Sequence, residues 1–255
     1  MKVIYCAYGR AKYAAQLEQS VRSLRLHHPD AQITVYTTAA FAGLLAGLPV
    51  QVVVLDTTAQ ASDWHDPFMK LRAIHAAACV GQAFLYLDND TYVAGSLSDA
   101  WQLLDRFDCM GVHSPIPDQR GFLSLPPAHN TPNPAIFPEW NGGVLFFSGR
   151  PAAQAIAADW LNILEQRIPG GGDQWPLGRA LWQSGARLHV LPNTYNCRLP
   201  ACPLVYGAVK ILHDDHPELA GVAQVVNADP GYRQIIRHGD AYALSPDPSQ
   251  GRRCF

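Results

Sequence analysis

Short apolar runs that alternate with helical patterns set the strongest limit on what this chain can fold into. Val3–Ala7 reads as a strand, and Tyr13, Leu17, Val21 and Leu24 then recur at spacings of four, four and three, which traces one face of a helix. Gln32–Thr37 and Gln51–Leu55 are short β-branched runs. Pro67–Val80 carries Leu71, Ile74 and Ala78 on one stripe, and Ala83–Leu87 and Cys109–His113 read as further strands. Alternation over residues 3–113 predicts an α/β fold with a mixed, mostly parallel sheet flanked by helices. Gly143–Phe147 is apolar without a break, as in a strand buried on both faces. Pro151–Arg167 predicts a helix opening with proline, and Gln174–Ser184, Leu188–Leu191 and Val209–His213 complete the pattern.

Composition excludes several classes. The chain has 255 residues, 48% hydrophobic and 16% charged, which is too apolar and too weakly charged for general disorder. Lys+Arg 19 against Asp+Glu 21 leaves a net charge of −2, so there is no basic surface for nucleic acid. No apolar run approaches the roughly 20 residues of a membrane span. Met1-Lys2-Val3-Ile4-Tyr5 enters a strand-like run at once without a signal-peptide layout, which predicts a cytoplasmic protein. None of the cysteines at 6, 79, 109, 197, 202 and 254 forms a CxxC pair, which argues against a thiolate zinc site. Cys197 and Cys202 read as two reduced loop cysteines, and Cys254 is misplaced for a prenylation box. There is no repeat and no linker, so residues 1–255 are expected to form one domain. Ser114–Trp140 holds seven prolines, and a loop of that length is expected to be functional.

The sharpest chemical signal is Phe84-Leu85-Tyr86-Leu87-Asp88-Asn89-Asp90-Thr91. Its two carboxylates sit two apart at the end of an apolar strand and share a face if strand geometry persists. The carboxyl end of a parallel strand is where α/β sheets place ligands. Converging carboxylates repel, a divalent cation relieves that, and oxygen ligands suit magnesium or manganese. Such a cation can clamp a diphosphate as a leaving group. The plainer reading is a turn closed by Asp and Asn. His213 ends the run Lys210-Ile211-Leu212-His213, and an imidazole ligand tilts the preference toward manganese. His216, beside Asp214 and Asp215, is an alternative ligand.

Other segments read two ways. Asn141-Gly142-Gly143 before the buried strand is either a plain turn or a close backbone approach to a ligand. Asp173, in Gly170-Gly171-Gly172-Asp173-Gln174, suits a helix N-cap, and with Gln174 also offers a carboxylate and an amide to a sugar. Lys70 borders its helix's apolar stripe, suited to solvent or to a phosphate. Trp140 and Trp175 flank these motifs as core residues or sugar-stacking rings.

The ordered set Met69-Lys70-Leu71, Leu85-Tyr86-Leu87-Asp88-Asn89-Asp90-Thr91, Asn141-Gly142-Gly143-Val144 and Gly172-Asp173-Gln174, followed by His213, resembles the glycogenin-like glycosyltransferases of family 8 over roughly residues 1–215. The resemblance implies the Rossmann-like GT-A fold, with a nucleotide-binding half at 1–113, an acceptor and sugar half at 114–229 and a tail at 230–255. It implies a retaining, metal-dependent transfer from a nucleotide sugar, a uridine diphosphate sugar by family habit. Ala7, Tyr8, Gly9, Lys70, Asn89 and Gly142 would meet the donor, and Tyr13 would stack on its base. Asp88, Asp90 and His213 would hold manganese or magnesium on the diphosphate. Asn141, Asp173 and Gln174 would surround the donor sugar and reacting carbon. The acceptor (saccharide, protein or lipid-linked) and the oligomeric state carry no signature.

Two departures stand out. The family's Gly-x-x-Lys-Pro-Trp after the metal histidine is replaced by Asp214-Asp215-His216-Pro217-Glu218, leaving Lys210 or Arg252/Arg253 as candidate diphosphate cations, or the metal working without one. Gly170 stands where relatives are often acidic. One rival reading is a haloacid-dehalogenase-like phosphatase using Asp88 and Asp90 with Ser148, Lys210 and Asp214-Asp215. Another is a binding protein that keeps the transferase fold without catalysis.

Overall fold

β1 (Lys2–Ala7), β2 (Gln32–Thr37), β3 (Gln51–Val54) and β4 (Phe84–Leu87) line up in parallel, in the order β3-β2-β1-β4. The computed structural model describes residues 1–55, 67–115, 137–166, 172–238 and 241–245. β7 (Trp140–Phe147) runs antiparallel to β4, and β6 (Cys109–His113) and β8 (Leu188–Val190) complete the seven-stranded sheet. The result is the mixed, mostly parallel sheet that the alternation predicts.

Period-two alternation explains its two covered faces. On one face Val3, Tyr5, Leu85, Leu87, Val144 and Phe146 pack against Leu17, Val21 and Leu24 of α1 (Lys12–His27). On the other, Ile4, Phe84, Tyr86, Leu145 and Phe147 meet three helices. α3 (Pro67–Cys79) supplies Leu71 and Ile74, α5 (Pro151–Glu165) supplies Ile156 and Trp160, and α6 (Gln174–Gln183) supplies Leu177 and Leu181. Each fully buried Leu, Ile or Phe contributes about 1.5–3 kcal/mol. Two short helices, α2 (Ala39–Ala42) and α4 (Ser98–Gln102), fill connections.

Smaller sheets then build the rim. β5 (Thr91–Val93) pairs antiparallel with β11 (Ile211–His213), which pairs in parallel with β9 (Cys197–Arg198). β10 (Leu204–Val205), β12 (Arg233–His238) and β13 (Ala241–Ser245) form a second three-stranded sheet, on which α7 (Leu219–Asn227) rests. The segment after Asp229, expected as a tail at 230–255, therefore contains a hairpin. Ile235, Tyr242 and Leu244 pack with Val222 and Val226. Its alternation is short and interrupted by arginines, which hid it. Residues 116–136, most of the proline-rich loop, and 246–255, with Arg252, Arg253 and Cys254, lie outside the described residues, as do Gly170 and Gly171.

Candidate active site

Between β4 and β5 the chain turns, and the turn chemistry falls to two residues other than the aspartates. Thr91 Oγ1 donates to Asp88 O at 2.8 Å, and Asn89 Nδ2 donates to Cys6 O at 2.9 Å. Residues 88–90 are not extended, so the shared face argued from strand geometry is replaced by convergence through this turn. Asp88 Oδ1 accepts from Tyr86 Oη at 2.6 Å and lies 3.2 Å from Lys70 Nζ. Asp88 Oδ2 faces the ring of His213, 3.8 Å from Nε2, and Asp90 Oδ1 lies 3.4 Å from the same nitrogen.

Backbone pairing delivers His213 to this point. Register His213↔Thr91 in the β5–β11 ladder, extended by Asp214 N–H donating to Asp90 O at 3.0 Å, places the imidazole over the turn. A chain of amides then orients the ring, and it can be read from an unambiguous donor. Gly143 N–H donates to Asn141 Oδ1 at 3.0 Å, and Asn196 Nδ2 donates to that oxygen at 2.8 Å. Asn196 Oδ1 therefore faces His213 Nδ1, 2.8 Å away, which makes Nδ1 a protonated nitrogen, and Arg198 Nη1, which can only donate, lies 3.0 Å from Nε2 and so leaves the lone pair there. Asn141 Nδ2 continues to Gln174 Oε1 at 2.7 Å, and Gln174 Nε2 to Glu139 Oε1 at 2.7 Å.

Gly143 sits at the tightest point. A Cβ there would lie 2.2 Å from His213 Cε1 and 2.6 Å from Asp88 Oδ2. The glycine motif thus serves close approach, between protein groups of the site itself. Gly142 does the same for Lys70 and Asp173, each of which has a side-chain atom 3.2 Å from where a Cβ would stand.

Lys70 is buried rather than solvated, with its Nζ 2.9 Å from Asp173 Oδ2 and 3.2 Å from Asp88 Oδ1, over the rings of Tyr86 and Trp160. Burial pushes the ammonium down, but Asp173 and then Asp88 outweigh it and hold Lys70 above its ordinary value. Asp173 does occupy the N-cap position of α6, yet its side chain makes no capping bond and turns to Lys70 instead. Burial, reinforced by Asp88, raises the Tyr86 phenol well above its usual range, so it stays protonated and donates.

Asp88, Asp90 and His213 offer ligand atoms within 4.8 Å of one another. Two carboxylates and an imidazole with its lone pair turned inward form a donor set that fits a divalent first-row cation. They floor a cleft of about 310 Å³, also lined by Cys6, Tyr8, Lys12, Tyr13, Lys70, Asn89 and Arg198. That volume is at the small end for ligand pockets. Of the residues expected at the donor, Tyr8, Tyr13, Lys70 and Asn89 line the cleft. Ala7, Gly9 and Gly142 do not; Gly9 supplies the positive φ of 84° that turns the chain out of β1. Asn141, Asp173 and Gln174 stand behind Lys70 and Asp88 rather than on the cleft wall. Sequence reasoning missed Asn196, just before β9, and Arg198, at its end, because a two-residue strand carries no periodic signal. Their one visible cue is proximity to His213 in the chain.

Several alternatives are not brought together. His216 Nδ1 accepts from Glu218 N–H, and its ring packs on Tyr242, away from the aspartates. Lys210 lies against Gly95 and is absent from the cleft. Antiparallel pairing of Phe84 with Phe147 and Leu87 with Val144 sends Ser148 to the end of β4 opposite Asp88, so the phosphatase constellation is dispersed. Trp140 and Trp175 are buried in the interior, as core residues. Cys197 and Cys202 are free thiols.

No protein-family model matches the chain, nor does any curated protein sequence. Solved structures do. The galactosyltransferase LgtC in complex with donor and acceptor sugar analogues aligns with a TM-score of 0.56 at 17% identity, over 85% of this chain and 88% of that one. Mouse xyloside xylosyltransferase 1 gives 0.55 at 14% identity, over 84% and 98%. The glycosyltransferase GlyE of Streptococcus pneumoniae TIGR4 gives 0.52 at 19% identity, over 83% and 53%. Among the described residues no helix is long and apolar enough to cross a membrane. Mixed sheet, carboxylate turn and these alignments together give this chain the GT-A fold of the glycosyltransferases.

Proposed function

We propose that the protein is a metal-dependent glycosyltransferase that moves a sugar from a nucleoside diphosphate sugar, a uridine diphosphate sugar first, to an acceptor hydroxyl with retention of anomeric configuration. One observation carries this reading: Asp88, Asp90 and the Nε2 lone pair of His213 converge at the floor of a cleft at the carboxyl end of β4, in this fold.

Asp88, Asp90 and His213 hold the cation, manganese ahead of magnesium because one donor is nitrogen. When bound, it supplies positive charge to the departing diphosphate. That charge is needed because the chain is slightly acidic and Lys70 is already committed to two carboxylates. Lys70 positions Asp88 and Asp173 by holding one oxygen of each. Tyr13 stacks on the base and Tyr8 and Asn89 meet the nucleotide, while Asp173, Gln174 and Asn141 act from behind the wall, positioning Lys70, Gly143 and Asn196 around the donor. Transfer breaks the anomeric carbon–oxygen bond, with the electron pair leaving on the diphosphate, forms the bond to the acceptor oxygen on the same face, and passes the acceptor's hydroxyl proton to the departing diphosphate oxygen.

The test is manganese-dependent release of nucleoside diphosphate from a panel of nucleotide sugars, followed by the anomeric configuration of the product. Release should fall at least about 100-fold in Asp88→Asn and Asp90→Asn. A wild-type protein that binds no nucleotide sugar with manganese present would remove the reading.

A further inference from the structure

We propose that Arg198 is the diphosphate-binding cation of this cleft, and that it rests on His213 until a divalent ion claims that ring nitrogen. The proposal rests on the transferase reading above.

Three observations lead to it. First, the backbone puts Arg198 and His213 side by side: β9 and β11 pair in parallel with Arg198 opposite His213 in register, so both side chains leave the same face of that sheet. Both line the cleft. Second, Arg198 Nη1 lies 3.0 Å from His213 Nε2. A guanidinium has no acceptor, so it donates and Nε2 accepts, while Nδ1 is committed as a donor to Asn196. Nε2 has one lone pair, the one a metal ion needs. A guanidinium and a cation cannot share it, and their charges also repel. Third, the other cations of the cleft are engaged with carboxylates. Lys70 is buried between Asp173 and Asp88, and Lys12 pairs with Asp215 at 2.5 Å. Among the described residues, Arg198 forms no ion pair with a carboxylate within 4.0 Å, and no lysine or arginine follows His213 before Glu218.

Binding of the ion therefore releases a planar guanidinium beside the cation, at the place a diphosphate must occupy. Its parallel N–H donors match two phosphate oxygens, which a point charge does not. The arrangement couples the two ligands with opposite signs. Arg198 opposes the ion when the ion is alone and favours the nucleotide once the ion is present.

The experiment measures binding of Mn²⁺ alone, by electron paramagnetic resonance of the free ion, and of uridine diphosphate with saturating Mn²⁺, by calorimetry. It uses wild type, Arg198→Met and Arg198→Lys, each checked by thermal melting. In Arg198→Met, Mn²⁺ alone should bind about 3-fold tighter or more as the competitor is lost, while uridine diphosphate should bind about 10- to 100-fold weaker. Arg198→Lys keeps the charge without the fork and should recover only part of the nucleotide affinity. If both ligands weaken together in both variants, Arg198 merely shapes the site and the proposal is wrong. Unchanged uridine diphosphate affinity overturns it as well. If the wild type binds none of uridine, guanosine, adenosine, cytidine and thymidine diphosphate with Mn²⁺, the transferase reading falls and takes this proposal with it; if it binds another of these than uridine diphosphate, that nucleotide replaces it in the comparison.

Discussion

The 2.8 Å contact between His213 Nδ1 and Asn196 Oδ1 decides which ring nitrogen faces Asp88 and Asp90. Asn196 is fully enclosed, and its own orientation is set through Asn141 from the backbone N–H of Gly143. A metal-binding function for His213 thus depends on a residue that is not itself one of the metal donors. Asn196→Ala frees the tautomer and the ring, and is expected to weaken Mn²⁺ binding about 10- to 100-fold. Free-ion titration by electron paramagnetic resonance checks this, with circular dichroism to show the fold retained. Unaltered Mn²⁺ affinity would refute the orienting role.

Gly143 is expected to tolerate no side chain. In Gly143→Ala the new methyl would overlap His213 and Asp88, so the ligands must part and Mn²⁺ affinity should drop at least about 10-fold. Gly185→Ala is the control: its Cβ meets nothing within 4 Å, and its stability should change by less than about 1 kcal/mol. Equal behaviour of the two variants in metal titrations and melts would contradict this packing argument.

Removing Lys70 strands two carboxylates. Lys70→Met is expected to destabilise the fold by about 3–5 kcal/mol, since Asp88 and Asp173 are left facing each other without their shared cation. Adding Asp173→Asn should restore part of the loss, because the remaining charge is then single. Urea unfolding of the single and double variants measures the coupling, and a strictly additive pair would show that the ion pairs do not act together.

Acid should loosen the far end of the sheet through Asp108. It accepts from Arg150 Nε at 2.5 Å and from the backbone N–H of Arg187 at 2.8 Å. Burial pushes its carboxyl up, but the Arg187 N–H and the Arg150 and Arg187 guanidiniums bring it down to about 2. A depressed folded value means stability that is complete above the unfolded value of about 3.9 and fades as pH falls toward 2. Asp108→Asn should therefore remove roughly 2–3 kcal/mol at pH 7 and flatten the stability curve between pH 4 and about 2. Melting temperatures across that window decide it; parallel curves for variant and wild type would sink the assignment.

Sequence by itself determined the elements of the central sheet and the two aspartates, because both signals are local. Alternation of Val3, Tyr5 and Ala7 against Ile4 and Cys6 already states that β1 is covered on both faces. The Asp88–Asp90 pair is visible as charge breaking an apolar run. Only the tertiary structure decided what those aspartates face. The imidazole arrives from 123 residues beyond Asp90 through the β5–β11 ladder, and its tautomer is set by a relay joining Gly143, Asn141 and Asn196. It also decided that Asp173 abandons its capping bond for Lys70, and that the residues after Asp229 fold back as a hairpin. The physical reason is range: periodicity and capping rules act within a few turns of chain, whereas burial in a shared cleft reassigns a polar side chain to whichever distant partner offsets its lost hydration.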